Sequence, residues 1–255
     1  MINQPDNLRR SATRRPRSRP AAPVPPPGGD AAIAASAAFA PIGETTYRRV
    51  RSDILFGRLV PGQKLTLDRM RDAYGSAVGT LREVFNALAS EGLVSAEGAR
   101  GFAVAAISPD NLKEIADVRL LLECDALRRS FENGDVEWEA RVVAAHHKLA
   151  SVERRVAEGD RSGEETFRQY DREFHNALVS ACGSRLRLEM HQDIYDKYLR
   201  YLMLASVFRG PAVAREHREL LACALARDWR GAQRITTTHV DDCVRQMLAG
   251  KWWLG

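Results

Sequence analysis

The sequence predicts a mainly α protein in two unequal folded parts, and three observations predict it. Helical hydrophobic spacing runs from about residue 44 nearly to the end. One stretch, 93–108, alternates as short strands do. Strand signals vanish after Pro109. A chain of 255 residues has room for one or two domains, and 45% hydrophobic with 28% charged residues is the composition of an ordinary soluble protein. No apolar run approaches the roughly 18 residues of a membrane span, so no membrane partner is expected.

The net charge of +5 is unevenly placed. Residues 1–40 carry six Arg against Asp6 and Asp30, residues 41–108 nine basic against seven acidic groups, and residues 109–255 23 against 24. Most of the excess therefore sits in the first segment, and charge alone argues only weakly for a nucleic-acid partner. That segment is rich in Arg, Pro and Ala, has no hydrophobic period, and reads as a disordered basic tail over 1–40. Its Arg-Arg pairs are followed by a proline cluster rather than the apolar stretch of an export signal. A basic arm of this kind adds nonspecific attraction to DNA phosphates. Cys124, Cys182, Cys223 and Cys243 lie far apart with no C-x-x-C pair, as expected of small buried hydrophobes in a reducing, cytoplasmic setting.

The first folded part covers 41–108. Tyr47, Val50, Ile54 and Leu55 fall on one helix face, and Gly57 with Pro61-Gly62 ends that helix. Leu67 to Tyr74 reads as a short second helix with Thr66 at its N-cap, and Gly75 punctuates. A third runs from about Val78 to Ser90, with Leu81, Val84, Phe85 and Leu88 on one face. Next, "LVSAEGARGFAVAAIS" alternates around an Ala-Arg-Gly turn, a β-hairpin. Three short helices and a hairpin make a winged helix-turn-helix. In that fold the second helix of the pair enters the major groove of double-stranded DNA, and its front end meets base edges. Thr80 and Arg82 stand at that end. An arginine there can grip guanine bidentately, worth ~1–3 kcal/mol of discrimination. Arg100, at the hairpin tip, is placed to touch a phosphate or the minor groove.

The stretch "ILFGRLVPGQKLTLDRMRDAYGSAVGTLREVFNALASEGLVSAEGARGFAV" resembles the DNA-binding domain of the GntR family of bacterial transcription regulators. The matching features are Gly57, Pro61-Gly62, Leu65, Leu81-Arg82-Glu83, Leu88, Glu91-Gly92-Leu93-Val94 and Gly101. The resemblance carries over DNA contacts at Thr80, Arg82 and Gly101, with Arg71 as a phosphate contact. It does not carry over contacts at Ala77, Val78 or Asp68, which stand where the family has Ser or Thr, Arg, and in some members a further basic residue. A different operator sequence is expected in consequence.

Over 109–250 the pattern is helical throughout: about 110–132, 137–157, 163–181, 184–207, 212–227 and 230–249. The breaks fall at Asn133-Gly134, Gly159, Gly183, Gly210-Pro211 and Arg227-Asp228. Helices of this number and length make a bundle, with Phe131, Trp138, Leu149 and Tyr195 as core or groove-lining residues. In "YDREFHNAL", Asp171 and His175 are four apart and share a helix face. His217 and His239 follow on later helices. Bundle helices that point such residues inward form metal sites, and nitrogen with carboxylate suits zinc first, then nickel, manganese or iron. His146, His147 and His191 lack such company and read as structural or surface residues.

The segments "DVRLLLECDALRRS", "DREFHNALVSACGS", "EHRELLACALARDWRGA" and "THV" resemble the FCD effector-binding domain of the FadR subfamily. The resemblance implies a divalent metal held by Asp171, His175, His217 and His239, under a pocket where a small carboxylate completes the coordination. Arg119 matches a family arginine facing that pocket, with Arg200 as a second candidate; Ser184 stands where members often have Asn. The function implied is a metabolite-responsive regulator, most often a repressor, acting as a homodimer on a palindromic operator. Two other readings compete: the same regulator with a purely structural metal, and a metal-dependent hydrolase. The hydrolase lacks a glutamate set as general base in the H-E-x-x-H manner.

Overall fold

The computed structural model describes residues 42–98, 101–160, 163–205 and 209–250. The basic tail and Arg100 lie outside the described residues. Three helices open the fold: α1 (Ile42–Leu55), α2 (Leu67–Tyr74) and α3 (Val78–Ser90). Val50, Ile54, Leu55, Leu81, Val84, Phe85 and Leu88 bury the faces that the spacing predicted, and Met70 of α2 joins them in the same core. Between α2 and α3 the chain turns at Gly75, whose φ of 64° is the left-handed cap that glycine adopts without strain. Thr66 occupies the N-cap position of α2, but its side chain makes no capping hydrogen bond.

A two-stranded hairpin, β1 (Val94–Ala96) and β2 (Phe102–Val104), pairs antiparallel with Val94 opposite Val104. Phe102 lays its ring 5.2 Å from that of Phe85, which fixes the wing to α3. The segment after α1 does more than end a helix. Leu65 N–H donates to the Phe102 carbonyl at 2.8 Å and Gly62 N–H to the Val104 carbonyl at 2.9 Å, so this short run edges the hairpin. Backbone donors and acceptors decided that pairing, and side-chain spacing did not report it.

The remaining helices are α4 (Pro109–Asn133), α5 (Val136–Ala157), α6 (Glu164–Val179), α7 (Arg185–Ala205), α8 (Pro211–Leu225) and α9 (Trp229–Ala249). Ser108, Asp135 and Asp228 cap α4, α5 and α9 with side-chain hydrogen bonds to Asn111, Trp138 and Gly231 N–H groups. Gly134 is required by packing: a Cβ there would stand 2.4 Å from the Trp138 ring. Trp138 is fully buried, 5.4 Å from the Phe131 ring, and its indole N–H donates to the Ala177 carbonyl at 3.0 Å. One apolar cluster joins α5, α6, α8, the end of α4 and the start of α9; a second joins the start of α4 to α7 and the end of α9. Among the described residues no helix is long and apolar enough to cross a membrane.

Candidate metal centre and nucleic-acid interface

Three helices of the bundle bring four side chains to one point. One turn of α6 supplies Asp171 and His175, while α8 supplies His217 and α9 His239. One donor atom from each lies within 4.8 Å of the others, and none of the four is more than 4% exposed. At bond lengths of about 2.0–2.2 Å, opposed ligands of a single ion stand about 4 Å apart, so small movements close these donors on one metal.

The surrounding carboxylates orient the ligands. The Nδ1 atoms of His175, His217 and His239 lie 2.5, 2.6 and 2.8 Å from carboxylate oxygens of Glu123, Glu153 and Glu216. Each glutamate fixes the ring and turns Nε2 inward as a ligand lone pair. His175 Nε2 has no hydrogen-bond partner, and His217 Nε2 sits 3.2 Å from Asp171 Oδ1. Tyr195 donates to the other Asp171 oxygen at 2.7 Å. Buried nitrogens facing a carboxylate oxygen, with every outward atom already held, fit a divalent ion.

The charges agree with that geometry. Burial opposes ionisation of Asp171, yet the hydrogen bond with His217 and the nearby imidazoles hold its carboxyl well below the usual range. Glu123 is held low against the same burial by Arg119 and His175. Burial would also lower His217, but its bonds to Asp171 and Glu153 push it up to about 9. His239 falls to about 4, chiefly through burial. Without metal, His217 therefore carries a proton at neutral pH that an incoming ion must displace. Metal affinity is expected to rise about tenfold per pH unit from pH 6 to 8; a pH-independent affinity in chelator competition would contradict the protonated state.

Arg119 lies beside this cluster, 1% exposed. Its Nε donates to Glu123 at 2.8 Å, its Nη2 is 3.4 Å from His175 Nδ1, and its guanidinium stacks over Tyr195 and Tyr198. Arg200 lies at a different place from Arg119. Its guanidinium donates to the Ala105 carbonyl in the segment joining the two folded parts, and it lines a recess with Leu93 and Lys197 rather than adjoining the metal ligands. Its place one helical turn beyond Tyr195 and Asp196 on α7 put it within sequence reach of the cluster, but packing against the winged part turned it elsewhere.

On the winged part, Arg82 is exposed and has no ion pair among the described residues. It shares a recess of about 560 Å³ with Lys64, Thr66, Asn86, Gly98 and Gly101. Thr80 does not share that face. It is half-buried toward α1, where a Cβ on Gly43 would stand 3.6 Å from its methyl. Arg71 is exposed but held by Asp72 at 3.1 Å and Asp68 at 3.3 Å, so a phosphate must compete with two carboxylates. Asn86 had a legible signal, four residues from Arg82 on the same helix face. Lys64 had none, because the pairing of its backbone with Ala103 places it. For Glu123, Glu153 and Glu216 the signal was a carboxylate on or beside an otherwise apolar inward stripe, as Glu153 beside Leu149 and Val152.

The outward carboxylates offer a direct test. Glu153→Gln keeps the shape but weakens the pull on His217, and is expected to lower metal affinity by about 10- to 100-fold. Competition with a chromophoric chelator measures it, and an unchanged affinity would show that Glu153 does not tune the ligand.

Comparison with known proteins supplies the wider setting. Residues 42–104 match the family described as bacterial regulatory proteins, gntR family, and residues 114–242 match the FCD domain. The HTH-type transcriptional regulator BphR of Paraburkholderia xenovorans (strain LB400) is 36% identical over 203 residues, covering 79% of this chain and 83% of that protein. The HTH-type transcriptional repressor GlaR of Escherichia coli (strain K12) is 31% identical over 213 residues, covering 80% and 96%. In fold, the chain is similar to a putative transcriptional regulator GntR from Rhodococcus sp. RHA1, with TM-score 0.67, 23% identity and coverage of 81% and 97%. It is also similar to E. coli McbR/YncC, with TM-score 0.66, 20% identity and coverage of 82% and 96%.

Proposed function

The chain belongs to the GntR family of bacterial regulatory proteins and carries an FCD domain, so it is a DNA-binding transcriptional regulator, and we propose that it is a repressor governed by a metal-bound carboxylate. The repressor reading rests on GlaR, which is described as a repressor. A homodimer in the cytoplasm binds a palindromic operator through two winged domains, because one domain buries too little surface for tight specific binding. Arg82, Gly101 and the neighbouring Lys64 and Asn86 face the DNA, while Thr80 supports the front of α3.

The observation that carries the metal reading is the set of three Nδ1–glutamate pairs around four buried ligands. Asp171, His175, His217 and His239 hold the ion, zinc first among zinc, nickel, manganese and iron. The bound ion supplies an electrophilic centre for a carboxylate oxygen. Arg119 lies close enough to orient the far side of such a ligand once its hold on Glu123 is shared. A line of ion pairs supports a route outward. Arg172, next to Asp171, meets Asp196 at 2.6 Å; Asp196 meets Arg51 of α1 at 2.9 Å; and Arg51 meets Glu91, at the end of α3, at 2.8 Å.

A second reading, a structural metal without an effector, is favoured by one observation: all four ligands are buried and Arg119 already has a carboxylate partner. Native mass spectrometry with elemental analysis separates the two. The first reading expects a dimer with one metal per chain and a retained small acid, whose addition releases operator DNA. Metal without any acid-dependent change in DNA affinity would leave only the structural role.

A further inference from the structure

We propose that the junction between the winged part and the helical bundle holds a second, metal-independent ligand site that takes a small monocarboxylate with an apolar body between Arg200 and Lys197. A recess of about 310 Å³ opens there, walled by Leu93 just past α3, by Ile115 and Val118 of α4, and by Ile194 of α7. Arg200 is 4% exposed. One of its terminal nitrogens donates to the Ala105 carbonyl, its Nε has no hydrogen-bond partner, and no carboxylate among the described residues pairs with it. Two other arginines withdrawn from water have counter-charges: Arg119 meets Glu123, and Arg209 meets Glu216 and Asp242. Burial lowers the Arg200 guanidinium from its ordinary value, as expected of a cation removed from water without a counter-charge. Lys197 is half-buried at the same recess and also has no ion pair among the described residues.

The chemistry of the recess selects its ligand. Two cations face a single acid, Glu114, which is exposed and accepts from Asn111 at 3.5 Å. A guanidinium fork matches the two oxygens of a carboxylate, and the ammonium adds a second donor. Four aliphatic side chains then meet an apolar body. The volume is at the low end of ligand pockets, roughly 300–1,000 Å³, which limits the ligand to the size of benzoate or octanoate. Because the walls come from both folded parts, a bound ligand ties the residue after the recognition helix to α7. The site is distinct from the metal centre, whose neighbouring arginine is Arg119.

The test is calorimetric titration of the full chain, stripped of metal with EDTA, with sodium benzoate and sodium octanoate. At least one probe is expected to bind without metal. Arg200→Gln and Lys197→Gln should each weaken it at least about tenfold, the loss of one charge-assisted contact. Val118→Trp, which fills the recess from its rim and leaves both cations, should abolish it. Circular dichroism checks the fold of each variant, and if Arg200→Gln does not fold, Val118→Trp decides. The proposal is overturned if neither probe binds, if binding appears only after zinc is restored, or if Val118→Trp binds as the unaltered chain does.

Discussion

Arg82→Ala is expected to lower operator affinity by roughly 10- to 100-fold per winged domain, in line with the ~1–3 kcal/mol of one bidentate base contact. A dimer using both domains multiplies that loss. The side chain is exposed and free of ion pairs among the described residues, so no internal bond competes with the DNA. Behind it, Leu81, Val84, Phe85 and Leu88 are buried and anchor α3 without its help. Stability should therefore move by no more than about 0.5 kcal/mol, as for surface substitutions generally. Fluorescence anisotropy on operator and scrambled duplexes reads the effect: affinity for operator should fall toward that for scrambled DNA. Arg71→Ala is the contrast. Its guanidinium already pairs with Asp68 and Asp72, so its loss should weaken both duplexes alike and by less. Unchanged discrimination in Arg82→Ala would remove the residue from base reading.

His217→Ala is expected to take the metal content from one per chain to none, and with it any DNA release by a carboxylate. Two consequences follow from the structure. The donor set loses the ligand that α8 contributes. Glu153 and Asp171, 4% and 3% exposed, also lose the partner lying between them. Leaving buried carboxylates uncompensated costs about 3–5 kcal/mol, so the variant should unfold at clearly lower denaturant. His217→Gln, which keeps a donor toward one carboxylate, should recover part of that stability without recovering the metal. Elemental analysis, urea unfolding and anisotropy with added acid separate these effects. A metal-free but folded variant that still releases DNA on adding the acid would show that the metal plays no part in the response.

Local spacing suffices for the helices, because each buries a face at 3.6-residue spacing and most are bounded on one side by a glycine, a proline or an N-capping Asp or Ser. The sequence by itself also determined that α3 aims Arg82 outward, and that Asp171 and His175 share one turn. Local geometry fixes each of these. The tertiary structure alone decided which residues from distant segments meet. Lys64 reached Arg82 through a backbone pairing with Ala103, and Glu123 and Glu153 reached the histidines across separate helices. Arg200 shows the limit most clearly. Spacing placed it on the helix that carries Tyr195, yet its side chain serves the junction with the winged part. Periodicity reports which face of a helix is buried; only packing between helices settles what that face meets, since contacts between residues far apart in the chain leave no mark on local spacing.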